Sequence, residues 1–455
     1  MRRALLVFGM GLLALAPPAH ADVPLSFVGL YDEGTAGLAD QARLGVGIVR
    51  QPFDWSRVEE SGWSAYDDYV ARAATAGVSV LPILVRRPEL GPPSSRAAYA
   101  EFVGAAVHRY GPTGSFWIEH PDVPFLPVHA WQVWNEPNIP NWWRGGVSSR
   151  SYVRLLRAGA QAIRAADPGA EVVAAGLPNS KLGVPFLDYL DQMYRAGARG
   201  VFDTLAIHPY SRDVGGVLAL AERARVVMNR WHDRARLWIT EFGWSTGGGA
   251  SKFRVSERGQ ADRIAGSLSA LIAERRALRL RGFIFFRWQD AVAPPELGRD
   301  PWPLHTGLLE ADGTPKPGFG AFARVVEALR DGDAGGGSAE PARIARRDVR
   351  LSPLGFAAVT LRCRSDAPGA CGGVLRLRSS RGVLCGGRRL AAGSKLGAVP
   401  FRIAAAPAIA PVRIRSAARR VARCAGRIRA RATVAPADRA HAAAAHWVEF
   451  EIRSG

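Results

Sequence analysis

Lysine is almost missing from this chain of 455 residues: it stands at 181, 252, 316 and 395 alone, so 56 of the 60 basic residues are arginine. That bias, beside abundant alanine, reads as GC-rich coding rather than a surface selected for phosphate, so a formal charge of +20 does not by itself indicate nucleic acid. Cysteine is as scarce, and its four copies (363, 371, 385 and 424) fall in the last quarter. An even set confined to one small module fits two disulfides formed in an oxidising compartment. No apolar run reaches the roughly 20 residues that a membrane-spanning helix needs. Among nine histidines there is no His-x-His, nor two at helical ligand spacing on one expected face, which disfavours a metal-dependent hydrolase. No Gly-x-Gly-x-x-Gly follows the first strand candidate, which argues against an open dinucleotide-binding sheet.

What is present is a real core and an uneven charge. Apolar residues make up 48%, enough to exclude disordered and fibrous classes. Residues 341–455 hold 23 Lys+Arg against 5 Asp+Glu, so +18 of the charge lies there and only +2 on the rest. At the N-terminus, Arg2 and Arg3 precede an apolar run from Ala4 to Ala16, followed by Ala19-His20-Ala21. This is the pattern of a secretory signal over residues 1–21, with a mature chain beginning near Asp22. The chain is therefore expected to be secreted or extracellular, held at the cell wall at most by its tail, without a membrane span, and monomeric.

From 22 to 330, apolar β-branched runs alternate with amphipathic segments, the pattern of βα units. Eight strand candidates appear: Leu25–Tyr31, Gly47–Phe53, Val78–Val85, Ala130–Asn135, Glu171–Gly176, Thr204–Pro209, Arg236–Glu241 and Gly282–Trp288. Helical spacing lies between them over Tyr66–Ala76, Arg96–Tyr110, Ser151–Ala166, Gly216–His232 and Ser256–Leu278. Eight such units close a (β/α)8 TIM barrel, so the fold class is α/β. Residues 331–340 (DGDAGGGSAE) read as a linker. Beyond it helical periodicity fades, and runs such as 374–378 and 427–431 alternate apolar with charged residues at period two. A small all-β sandwich with arginines on its wet face is expected over 341–455. Of three possible connectivities, Cys363–Cys371 stapling one hairpin and Cys385–Cys424 is favoured.

Active sites of such barrels lie at the C-terminal ends of the strands. Glu136 closes the fourth strand in Trp131-Gln-Val-Trp-Asn-Glu-Pro-Asn138, and Glu241 the seventh in Leu237-Trp-Ile-Thr-Glu-Phe-Gly-Trp244. Strands four and seven face each other across an eight-stranded barrel, which brings two carboxyl groups into one cavity. Acetal hydrolysis needs such a pair, one to protonate the leaving oxygen and one to attack or activate water.

Asn135-Glu136-Pro137 and Thr240-Glu241-Phe242-Gly243-Trp244, with a tryptophan on strand eight, resemble the signatures of clan A glycoside hydrolases, especially families 5 and 39. The similarity covers about 25–330. It implies a retaining glycosidase with Glu136 as acid/base, Glu241 as nucleophile and Asn135 on the sugar 2-hydroxyl. Arg50 would keep the nucleophile ionised. His208 and Tyr210 end strand six, where the family's equivalent aromatic hydroxyl contacts the nucleophile. Trp288 resembles the strand-eight sugar platform. Trp55, Trp63, Trp142, Trp143, Trp244, Trp288 and Trp302 all fall in or at the start of βα segments, which suggests a cleft for several sugars of a polysaccharide or oligosaccharide. No metal or organic cofactor is implied, and no nucleic-acid partner. The basic tail is a solvated face or an attachment to an anionic cell-surface polymer. An inactive polysaccharide-binding or adhesion protein is the competing reading.

Overall fold

A computed structural model describes residues 23–32, 34, 37–295, 298–330, 343–344, 348–351, 356–362, 371–403, 408–435 and 446–454. Residues 1–21, where a signal was expected, the expected linker and Cys363 lie outside them, and with Cys363 the expected Cys363–Cys371 bridge.

Eight parallel strands close a barrel in sequence order. They are β1 (Val28–Tyr31), β2 (Ile48–Asp54), β3 (Ser79–Val85), β4 (Ala130–Val133), β5 (Glu171–Pro178), β6 (Thr204–His208), β7 (Arg236–Ile239) and β8 (Leu280–Phe285). Closure is made by β1 against β8, with Val28 opposite Phe283. The strands read as near-continuous apolar runs because both faces are covered, one by the barrel interior and one by helices. In β3 every residue after Ser79 is buried.

Around the strands lie α1 (Leu38–Arg43), α2 (Trp55–Ser61), α3 (Ser64–Thr75), α4 (Arg96–Tyr110), α5 (Ser115–Glu119), α6 (Ser149–Ala166), α7 (Phe186–Arg195), α8 (Val214–Arg230), α9 (Glu257–Glu274) and α10 (Pro317–Arg330). Helix α6 shows how local sequence sets them. The Ser148 side chain accepts from the Ser151 amide at its N-terminus, and Tyr152, Val153, Leu156, Ala160 and Ile163 form the buried stripe. Five of these helices, α1, α2, α5, α7 and α10, were not among the helical stretches expected from the sequence.

The tail is a sheet domain with its own core. Its strands are β9 (Arg343–Ile344), β10 (Asp348–Leu351), β11 (Phe356–Arg362), β12 (Cys371–Ser379), β13 (Val383–Cys385), β14 (Arg388–Leu390), β15 (Lys395–Ile403), β16 (Ala408–Arg413), β17 (Arg427–Ala435) and β18 (His446–Ser454). All but the β13–β14 hairpin belong to one sheet, in the order β15-β12-β17-β18-β10-β11-β16 with β9 on β11. The pairing is antiparallel except between β10 and β18. The period-two alternation holds: Ile428, Ala430 and Ala432 are buried while Arg427, Arg429 and Arg431 are exposed. One expectation is corrected. A helix, α11 (Ser416–Ala425), interrupts the strands and buries Ala418, Val421 and Ala422 at helical spacing. Its Cys424 bonds to Cys385 of the hairpin.

Candidate active site

The barrel mouth is organised around a cation. Arg50 of β2 is fully buried, and a buried guanidinium is tolerated only when its donors are matched. Its Nη1 donates to Glu241 Oε1 at 2.6 Å, its Nη2 to Asn135 Oδ1 at 2.8 Å and its Nε to Gln132 Oε1 at 2.9 Å. One side chain thus joins the ends of β2, β4 and β7. Tyr210, just beyond β6, donates to the other oxygen of Glu241 at 2.9 Å. Glu241 is therefore gripped on both oxygens, by a fixed positive charge and by a phenol whose own ionisation is pushed far up by burial and then by Glu241.

Glu136 lies across from it. After β4 the chain turns through positive φ at Trp134 (71°) and at Glu136 itself (42°), a conformation uncommon for residues with a Cβ. The Glu136 amide donates to Gly176 O at 3.1 Å, which fixes the turn against β5. His208, the last residue of β6, reaches Glu136 Oε1 with Nδ1 at 2.7 Å and Thr240 Oγ1 with Nε2 at 3.1 Å. Burial drives the imidazole down to about 3, against Glu241, which pulls it up, so the ring is neutral at working pH. A neutral imidazole has one donor and one acceptor, and Thr240 can supply whichever partner Glu136 leaves over. Burial pushes Glu136 up to about 7, with Arg50 pulling the other way.

The nearest donor atoms of Glu136, His208 and Glu241 all lie within 4.8 Å of one another. Two carboxylates and an imidazole are a donor set that a divalent cation accepts. Here, however, each is already committed: His208 hydrogen-bonds Glu136, and the Arg50 guanidinium touches Glu241. A cation would have to share the space with that positive charge.

Of the residues expected at the site, Arg50, Asn135, Glu136, His208, Tyr210 and Glu241 are brought together. Two tryptophans are not. Trp244 is fully buried and donates from Nε1 to Ser211 O, so it packs in the core. Trp288 is 4% exposed; its indole sits on Phe319 of α10 and so close to Gly37 that a Cβ there would lie 2.1 Å from Nε1. It supports the barrel wall and offers no ring face to a sugar. Trp142 is half-buried on the loop after β4, its carbonyl accepting from Trp134 Nε1. The wide tryptophan cleft is reduced as well, because Trp143 is buried and Trp55 and Trp63 stack on Phe102.

The aromatic surface beside the carboxylates is made by other residues. Trp302 meets Tyr210 edge-on at 5.3 Å, Phe253 lies 4.8 Å from Trp302, and Phe286 stands 4.7 Å from Tyr31. The segment after Trp302 is tied down from beneath: the Gly307 amide donates to Asp290 Oδ1 at 2.7 Å, and buried Lys316 Nζ donates to Asp290 Oδ2 at 2.5 Å and to half-buried Thr246 Oγ1 at 2.8 Å. The buried Lys316–Asp290 pair is not among the expected site residues. Gln132 and Gly176 were missed too. The first had a signal, as a polar residue inside a buried strand; the second is glycine because a Cβ would stand 2.0 Å from His208 Nε2.

No protein-family model and no curated protein matches the chain. Solved structures do. A glucosidase from Croceicoccus marinus superposes with a TM-score of 0.52 at 15% identity, over 86% of this chain and 93% of that one. What the two share is the fold. A GH39 enzyme from Xanthomonas axonopodis pv. citri gives 0.49 at 14% identity (86% and 92% covered), and an endo-beta-1,4-mannanase from Thermotoga petrophila 0.48 at 11% (95% and 99%). A shared fold leaves the chemistry to be argued from the site.

Proposed function

We propose that this chain is a secreted retaining glycoside hydrolase acting on a polysaccharide or oligosaccharide. The observation that carries the reading is the carboxylate pair: oxygens of Glu136 and Glu241 within 4.8 Å, in environments that give them opposite roles. Carboxyl groups about 5–5.5 Å apart suit direct attack, whereas inversion needs room for a water between them. Glu136, pushed up to about 7 by burial, holds a proton to give. Glu241 is held on both oxygens, by Arg50 and by Tyr210, which fixes its carboxylate for attack.

In the first step a Glu241 oxygen bonds to the anomeric carbon as the glycosidic C–O bond breaks, and the Glu136 proton passes to the departing oxygen. In the second, Glu136 takes a proton from water, whose oxygen attacks the same carbon and releases Glu241. Asn135, fixed by Arg50, is placed to bind the sugar 2-hydroxyl, a contact that counts where it strengthens at the transition state. Trp302, backed by buried Phe253, and Phe286 supply apolar surface for the C–H faces of the sugar. Residues 341–455 hold the enzyme at an anionic cell-surface polymer.

The test is release of reducing ends from β-glucans, xylans, mannans and bacterial exopolysaccharides. At least one is cleaved by the wild type and none by Glu136→Ala or Glu241→Ala, both folded. Near-normal turnover in either variant refutes the assignment. Inverted anomeric configuration in the first-formed product, read by NMR, refutes retention. A folded wild type that cleaves nothing in the panel favours a binding or adhesion protein.

A further inference from the structure

The sheet of the tail has two unlike faces. Leu375 and Leu377 of β12 and Ile428, Ala430 and Ala432 of β17 point into its core. On the outer face the alternate positions are Arg376 and Arg378 of β12, Arg427, Arg429 and Arg431 of β17, and Lys395 of β15, every one of them exposed. The register sets them side by side: Arg378 stands opposite Arg431 on one flank and Lys395 on the other. Neighbouring strands are about 4.8 Å apart and alternate residues about 6.8 Å, so the cations form a lattice rather than a scatter. Like charges this close repel one another, and the energy of that repulsion is released when anions settle among them.

The acids on this face are confined to one side. Glu449 and Glu451 of β18 pair with Arg431 at 3.2 Å and with Arg427 at 3.5 Å. Across β12 and β15, among the described residues, no acid stands in register with Arg376, Arg378 or Lys395. The β17 arginines are thus partly balanced by β18, Arg429 too lying 3.9 Å from Glu451, while Arg376, Arg378 and Lys395 face no acid in register.

We infer that the outer face of β15, β12 and β17 is a docking surface for a linear polyuronate, a polysaccharide with a carboxylate on each sugar. This rests on the anchoring role proposed above and not on the barrel's chemistry. Carboxylates accept the paired donors of a guanidinium, and a regular row of them matches a regular row of arginines. A nucleic acid is the less suited polyanion. Residues 1–340 carry only +2, so they add little to the pull on a duplex.

The experiment uses the full chain and polygalacturonate immobilised on a sensor, with a neutral β-glucan and duplex DNA as parallel surfaces. Binding to polygalacturonate is expected at roughly 0.02 M NaCl, weakened at least about tenfold at roughly 0.3 M, where the screening length is about fourfold shorter. The combined Arg376→Ser, Arg378→Ser, Arg429→Ser and Arg431→Ser variant should lose at least about tenfold in affinity at low salt. A control removing the same number of exposed barrel charges (Arg57, Arg96, Arg150 and Arg154 to Ser) should keep it. Should the fourfold variant melt differently from the wild type, Arg376→Ser and Arg429→Ser singly each give a smaller loss in the same direction. Equal loss in both fourfold variants, no binding at low salt, or tighter binding to DNA or the neutral glucan overturns the inference. Glycosidase activity is untouched by any of these results.

Discussion

Replacing Glu136 by Gln separates the energetics of the buried acid from its chemistry. Folded, the carboxyl titrates at about 7 against an ordinary 4.5, chiefly through burial. Below pH 4.5 it is protonated in both the folded and the unfolded chain, and its ionisation costs the fold nothing. As pH rises towards 7 the unfolded chain gives up the proton freely while the folded one must do so in a dry site, so stability falls. The gap corresponds to roughly 3 kcal/mol, reached by about pH 8. Glutamine keeps the shape and the contact with His208 but has nothing to ionise. The variant should therefore melt with the wild type near pH 5 and above it at pH 8, by about 5–8 °C for a domain of this size. Calorimetry or circular dichroism across that range reads the difference. An offset that stays constant from pH 5 to 8 would refute the burial argument, and with it the claim that Glu136 holds a proton for the leaving group. In the wild type the same ionisation sets the alkaline limb of kcat/KM near pH 7.

Arg50→Met leaves Glu241, Asn135 and Gln132 without their common donor and should cost about 3–5 kcal/mol in a thermal or denaturant melt. Because Arg50 is the group that pulls Glu136 down, the alkaline limb of whatever activity survives moves above its wild-type position. Gly176→Ala places a methyl where the His208 ring lies; a loss of about 1–3 kcal/mol is expected together with a fall in kcat, since His208 can no longer hold Glu136. Cys385→Ser with Cys424→Ser opens a closure spanning 39 residues and should lower the stability of the tail by about 4 kcal/mol while the barrel transition and the activity stay as they were.

The barrel was legible because its signal is repeated. Each strand is a short apolar run set between turn residues, and eight in series leave little choice of closure. Strand ends were harder. The stretch Leu25–Tyr31 opens as a 3-10 turn before β1 begins at Val28, and β8 stops at Phe285 where Trp288 had been taken as its end. Within a strand, alternation says which way a side chain points; past the last ladder bond it says nothing. Glu241, Trp244 and Trp288 all stand past the last ladder bond of their strands, so alternation could not give the directions of their side chains. Helix α7 was readable from Phe186, Tyr189, Leu190, Met193 and Tyr194, all buried at three- and four-residue steps. Helix α11 hid among arginines because its buried stripe is two alanines and a valine. The hydrogen bond from Arg50 to Gln132 and the Lys316–Asp290 pair are long-range facts with no local pattern to announce them.

Arg50 binds residues that stand 82, 85 and 191 positions further along the chain. No fragment that ends before β7 contains Glu241, and the site is not charged as described until the guanidinium has met all three acceptors. Catalytic competence is thus a late reporter of folding, present only once the ring is shut. Under the proposed function, an unfinished chain cleaves nothing, because the pair of Glu136 and Glu241 comes into being with the closed barrel.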